Sequence, residues 1–172
     1  MTILAALLVW GSAMMLAEQI PPPETDAGLK VTDGSKPLLR ASAKGVQIYT
    51  CRDGAYDAAH SEPDAVLTNR KGVVIIHHYL NSDPAGPAWE ATDGSKVIAK
   101  KLDPAQSRTG TIPWLRLEVV GHEGTGLLGK VTFIQRVDTA GGVAPAGTCD
   151  PAKSPRVRVP YTATYYFYGK TN

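Results

Sequence analysis

Apolar and polar positions alternate with a period of two through most of this chain, and no stretch after residue 20 sustains a 3.6-residue repeat. Such alternation predicts strands with one buried face. The first clear strand is 46–51, with Val46, Ile48 and Thr50 on one side and Gln47, Tyr49 and Cys51 on the other. A short strand is predicted at 65–68. Residues 73–80 are apolar on both faces, which predicts a central strand covered on both sides, and adjacent His77 and His78 must then point in opposite directions. Strands at 88–92 and 95–102 flank the turn dipeptide Asp93-Gly94. In 112–121, Leu115, Leu117 and Val119 share an inward face, with Trp114, Arg116 and Glu118 outward. In 127–137, Val131, Phe133 and Val137 fall on one side, and Lys130, Thr132, Ile134 and Arg136 on the other. The last strand, 157–168, is the most regular: Val157, Val159, Tyr161, Ala163, Tyr165 and Phe167 alternate with Arg158, Thr162, Thr164, Tyr166 and Tyr168. The pattern predicts an antiparallel all-β domain, a β-sandwich or a squat β-barrel.

The N-terminus reads differently. Residues 3–17 carry no charge, and Glu18 ends the run. At that length it is too short for a membrane span of about 20 residues and reads as the apolar core of a secretory signal, cut near Ala17. No Lys or Arg precedes it, and a buried first helix is the alternative. The predicted organisation is therefore a signal peptide at 1–17, a Pro-rich extended segment at 18–44 and an all-β domain at 45–172. Pro21-Pro22-Pro23 opens the middle segment as a polyproline spacer. The pentad Thr-Asp-Gly-Ser-Lys occurs at 32–36 and again at 92–96, which two similar turns explain better than a duplicated domain.

Composition narrows the class. A chain of 172 residues holds one domain with a substantial core. Seventeen Gly and thirteen Pro favour many short elements joined by turns. A net charge of +2 gives no basis for a nucleic-acid partner. Two cysteines, Cys51 and Cys149, in an exported chain are most simply a disulfide. The expected location is secreted or periplasmic, with no membrane span in the mature form; the oligomeric state stays open, with assembly through strand edges and Trp114 as one option.

For chemistry, no Gly-x-Ser-x-Gly elbow and no His-Glu-x-x-His spacing occurs, so neither a hydrolytic nucleophile, a metal nor a cofactor is expected. One polar group stands out. His78 ends an apolar strand, Glu90 follows Trp89 across a loop, and Arg136 interrupts an otherwise apolar strand; Asp93 lies close by in sequence. A histidine, a carboxylate and an arginine beside an aromatic wall would bind a small polar or anionic ligand. The main expectation is thus a binding or structural module at the cell envelope, with His78, Trp89, Glu90, Asp93 and Arg136 as ligand candidates. A small extracytoplasmic enzyme using His78 and Glu90 for acid–base work, with Arg136 as anion holder, is the alternative. The bland account is a structural Glu–Arg or Asp–Arg pair holding strands in register, with Trp89 as packing.

From Gly45 to Tyr168 the chain resembles the bacterial and fungal domain of unknown function 3455 family. The blocks that carry the resemblance are GVQIYTC (45–51), His78-Tyr79 leading to GPAWEATDGSKV (86–97), IPWL (112–115), TFIQRVDTAGGVAPAGTC (132–149) and VPYTATYYFY (159–168). Residues 81–85 look like an insertion in that pattern. The resemblance implies a secreted β domain and no particular reaction. Some relatives carry a malate dehydrogenase label, and Gly124-Thr125-Gly126-Leu127-Leu128-Gly129 does match Gly-x-Gly-x-x-Gly. A dinucleotide site needs those glycines between a strand and a helix. The next residues, KVTFIQRV, alternate by two and read as a strand, so a hairpin is expected and a NAD-dependent dehydrogenase is not.

Overall fold

The computed structural model describes residues 19–171; the predicted signal segment lies outside them. Nine strands run through the described residues: β1 (Lys36–Arg52), β2 (Ala55–Tyr56), β3 (Glu62–Thr68), β4 (Val74–Ser82), β5 (Ala85–Ala91), β6 (Lys96–Arg108), β7 (Thr111–Glu123), β8 (Val131–Gly141) and β9 (Arg156–Gly169). Every pairing is antiparallel, and from β3 onward each strand pairs with its sequence neighbour. β1 pairs with β3 on one side and with β9 on the other, which closes eight strands into a barrel and leaves β2 as a short appendage of β1. A barrel is one of the two architectures the alternation predicts, and closure removes the free edges that an open sheet would expose.

The inner face holds Ala41, Ala43, Ala65, Leu67, Ile76, Trp89, Val97, Leu117, Ile134, Tyr161, Tyr165 and Phe167, among others. Large and small residues meet at two inward positions of the seam, where Ala41 pairs with Tyr165 and Gly45 with Tyr161; between them Ala43 pairs with Ala163. A Cβ on Gly45 would collide with the Ala65 backbone, so the closing strand has room for nothing larger there. These small inward residues explain why β1 begins at Lys36, ten residues before the predicted start at 46. Ala41, Ala43 and Gly45 give almost no hydrophobic signal, yet they hold the inward parity.

Two further expectations change. β4 is not covered on both sides: Ile76 and His78 are buried inside, while the His77 side chain is 51% exposed on the outer wall. The two histidines do point oppositely. In β8, Val131 and Ile134 face the interior, and Phe133 and Val137 pack outside. A register shift between Val131 and Phe133 flips the parity from Phe133 to Val137, and a second follows between Val137 and Ala140.

The Pro-rich segment does not behave as a spacer. Ile20 and Val31, together with Trp114 and Phe133, pack on the outer wall against the cluster of Val137, Tyr166 and Tyr168. Buried Gln135 donates from Nε2 to the Leu29 carbonyl and accepts from the Tyr168 hydroxyl, and Arg116 donates to the Lys30 carbonyl at 2.6 Å. The segment straps the tyrosine-rich outer face of β7 to β9. Trp114 is also stacked by Arg108, 3.9 Å from its ring centroid, so it is no bare contact surface. Among the described residues, no helix is long and apolar enough to cross a membrane.

Cys51 and Cys149 form the disulfide, with Cα atoms 6.0 Å apart. It ties the long β8–β9 loop to the end of β1, reinforced by Cys149 N–H to the Gly54 carbonyl at 2.8 Å. The bridge spans 98 positions, so closing that loop in the unfolded chain is worth about 4–5 kcal/mol in the chain-entropy account. Replacing both cysteines by alanine should lower the unfolding free energy by roughly that amount, measured by urea denaturation. An unchanged midpoint would show that the barrel holds this end without the bridge.

Candidate functional site

One end of the barrel interior is solid. There Leu128, Val131, Leu67 and Phe167 are fully buried. Toward the other end, where the disulfide sits, the interior opens into a cavity of about 360 Å³. That volume suits a small molecule. Its wall includes Gln47, His78, Trp89, Arg136 and Tyr165, with Ser61, Pro87 and Lys101 nearer the mouth.

The residues arrive there by strand parity. His78 on β4 stands opposite Trp89 on β5, and Arg136 on β8 opposite Tyr165 on β9. His78 is 2% exposed and stacks on the Trp89 ring, centroids 4.1 Å apart and 6° from parallel. Tyr165 meets both rings edge-on, at 5.6 and 5.8 Å. The His78 Nδ1 donates to the Ala88 carbonyl at 2.8 Å. Burial pushes the imidazole pKa down from 6.5 to about 3, and the Arg136 charge acts in the same direction, so His78 is a neutral ring at neutral pH.

Arg136 faces the interior, on the parity that the β8 bulge sets. Its Nε and Nη2 both donate to the Pro113 carbonyl, at 3.2 and 2.9 Å, and no carboxylate pairs with it among the described residues. Among those residues no Asp or Glu lines the cavity. Several buried polar groups beside it lack partners: Gln47 Nε2, Trp89 Nε1, Tyr161 OH and Tyr165 OH complete no hydrogen bond, although Tyr161 neighbours both Gln47 and Tyr165. Burial raises the Tyr161 and Tyr49 pKa values, so both phenols stay protonated donors; Tyr49 donates to the Gly142 carbonyl at 2.5 Å.

Two of the five sequence candidates go elsewhere. Glu90 follows Trp89 and so points to the outer wall, where it accepts from the Tyr79 hydroxyl at 2.7 Å and lies across from Lys96. Its carboxylate and the His78 ring are on opposite faces of the sheet, which removes the acid from the predicted His–Glu–Arg group. Asp93 sits in the β5–β6 turn at the solid end. Its Oδ1 accepts from Ser95 N and Oγ at 3.0 and 2.6 Å, and its Oδ2 accepts from Leu127 N at 2.7 Å. These bonds, that of the Ser95 hydroxyl first, hold the Asp93 carboxyl below the usual range. Thr32–Lys36 makes the same turn, with Ser35 N donating to Asp33 at 2.9 Å. The Gly-x-Gly-x-x-Gly stretch is the loop from β7 to β8, with strand on both sides. Its amides at Leu127 and Leu128 point at Asp93 and at Ser95 Oγ, so the loop's anion slot is filled from within the chain.

Gln47, Tyr161 and Tyr165 escape sequence reasoning as site residues. For Gln47 a signal exists, since it shares the parity of Tyr49 and Cys51 and is therefore a polar residue on a buried face. Among the described residues no group of three or more His, Cys, Asp or Glu could hold a metal ion.

Residues 32–169 match the family described as protein of unknown function (DUF3455). The chain belongs to that family. The match takes in all nine strands of the described residues, from Lys36 to Gly169. No curated protein and no solved structure matches the chain. Family membership therefore fixes the extent of the barrel, and the chemistry must be read from its interior.

The burial of His78 predicts a pH dependence of stability. Folding strips the proton from this ring between pH 6.5 and about 3, so the unfolded chain binds more protons in that window. The stability is fully present above pH 6.5 and is lost as pH falls, by up to about 1.4 kcal/mol per pH unit. Urea titrations between pH 6.5 and about 5.5, above the range where most carboxylates titrate, should show that slope in wild type and a flatter one in His78→Phe. Equal slopes would place the titrating group elsewhere. At Gly126, φ is +143° and a Cβ would fall 2.7 Å from the Asp93 Cγ. Gly126→Ala should therefore cost about 1–3 kcal/mol by the same assay.

Proposed function

We propose that this domain is a binding module that holds a small polar molecule inside its barrel. The observation that carries the reading is the set of buried polar atoms without partners around the cavity: Gln47 Nε2, Trp89 Nε1 and Tyr165 OH, each on a side chain 1–2% exposed. Leaving such a group unsatisfied costs about 1–3 kcal/mol. These atoms have almost no exposed surface, so a ligand that supplies acceptors offsets that cost once the side chains shift toward it. His78 and Trp89 give it an aromatic wall and Arg136 a cation; Glu90 and Asp93 take no part.

We also infer that the protein works outside the cytoplasm, at the cell envelope. The Cys51–Cys149 bridge supports this, because such bonds persist in oxidising compartments. The uncharged run at 3–17 supports it from sequence. An acid–base enzyme using His78 and Glu90 loses its support, since the two side chains lie on opposite faces of the sheet.

A thermal-shift screen of oxidised protein against small polar compounds tests the reading. A true ligand at a hundred times Kd should add about 2.7 kcal/mol of stability. Trp89→Phe keeps the stacked ring and removes Nε1, so it should lose part of that gain. If no compound stabilises wild type, the interior is a hydrated core and the function lies on the outer wall.

A further inference from the structure

Resting on the proposal of an interior binding site, we infer that its occupant is a small organic carboxylate with a planar apolar body. Its charge meets Arg136, and its ring lies against the wall made by Trp89, His78 and Tyr165.

Charge decides the first half. Among the described residues the lining contains two cations, Arg136 and Lys101, and no acid. Lys101 has an ion-pair partner in Asp103, 3.8 Å away, on a residue whose side chain is 86% exposed. Arg136 has none among the described residues, and the Pro113 carbonyl that it contacts is neutral. A partly buried guanidinium bonded only to a neutral carbonyl lacks an opposite charge, and a carboxylate supplies one and matches its planar fork. The neighbouring donors agree in sign. Trp89 Nε1 is a donor and nothing else, Gln47 Nε2 is a donor, and the Tyr161 phenol stays protonated. His78, neutral and locked to the Ala88 carbonyl, adds no competing charge.

Shape decides the second half. Trp89 and His78 stack face to face, 6° from parallel, and Tyr165 meets both rings edge-on, so this side of the cavity is continuously aromatic. Pro87, Leu115 and Leu117 complete it with apolar surface. A planar body with one anionic end fits this division better than a compact polar ion does.

Benzoate, benzamide and sulfate separate the possibilities when titrated into oxidised protein by calorimetry. The expected result is benzoate binding about tenfold or more tighter than benzamide, the ordinary yield of one charge-assisted contact, with sulfate weaker than benzoate. Arg136→Gln should collapse the benzoate-to-benzamide ratio to about one while near-ultraviolet circular dichroism stays native. If that variant does not fold, the wild-type ratio decides. Benzamide binding as well as benzoate would overturn the anion assignment and leave the interior site standing. Sulfate binding as well as benzoate would overturn the planar body. A benzoate preference that survives in folded Arg136→Gln would overturn the role of Arg136. No heat with any of the three would overturn this inference; the broader thermal-shift screen then tells whether the interior binds any other polar molecule.

Discussion

Everything in this molecule depends on the pairing of β1 with β9. Among its described residues the chain has a three-residue 3-10 turn at Ala27–Leu29 and no α-helix with which to cover a sheet, so the sheet must cover itself. β1 does this by being long, 17 residues, and by hydrogen bonding on both sides along the same stretch, to β3 from Ser42 to Ile48 and to β9 from Lys36 to Thr50. Sequence-distant partners make that closure costly in loop entropy. The cost is partly carried by the disulfide, which joins the far end of β1 to the loop that precedes β9.

Closure dictates the interior. Eight strands enclose a space only just wide enough for side chains, so the layers must mix sizes. The chain puts its smallest residues on β1 and its largest on β9, β5 and β4. Where Phe167 lies between Leu39 and Ile134, the space fills. Toward the disulfide end, Gln47, Arg136 and His78 enter at inward positions, and polar side chains cannot interdigitate as aliphatic ones do. The cavity and the orphaned hydrogen-bond groups thus have a single cause.

Much of this is legible in the alternation. The faces of β7 and β9, the opposed histidines, the disulfide and the hairpin at the glycine-rich loop all come from parity and residue type. The illegible parts depend on features that carry no hydrophobic signal. β1 hides its inward face behind Ala41, Ala43 and Gly45. β8 changes parity at a bulge, which sequence does not announce. The Pro-rich segment binds the wall largely through main-chain carbonyls at Leu29 and Lys30, and every residue type has those. Glu90 lies apart from His78 and Arg136 for a simpler reason: it follows Trp89 in sequence, and adjacent strand residues must part to opposite faces.

The same parity argument separates what the interior can do from what it cannot. Acid–base chemistry at His78 would want a carboxylate on the inward face, and the lining has none among the described residues. With Nδ1 held by the Ala88 carbonyl and the pKa near 3, the ring neither carries a proton at neutral pH nor is free to turn. It is built as a flat surface. Arg136 is different: it reaches the interior with its charge intact, anchored by a neutral carbonyl that leaves that charge unmatched. Holding an unmatched cation beside a rigid aromatic wall is unfavourable for folding on its own. It becomes favourable when an anion shares the space, which is the strongest physical reason to look for one there.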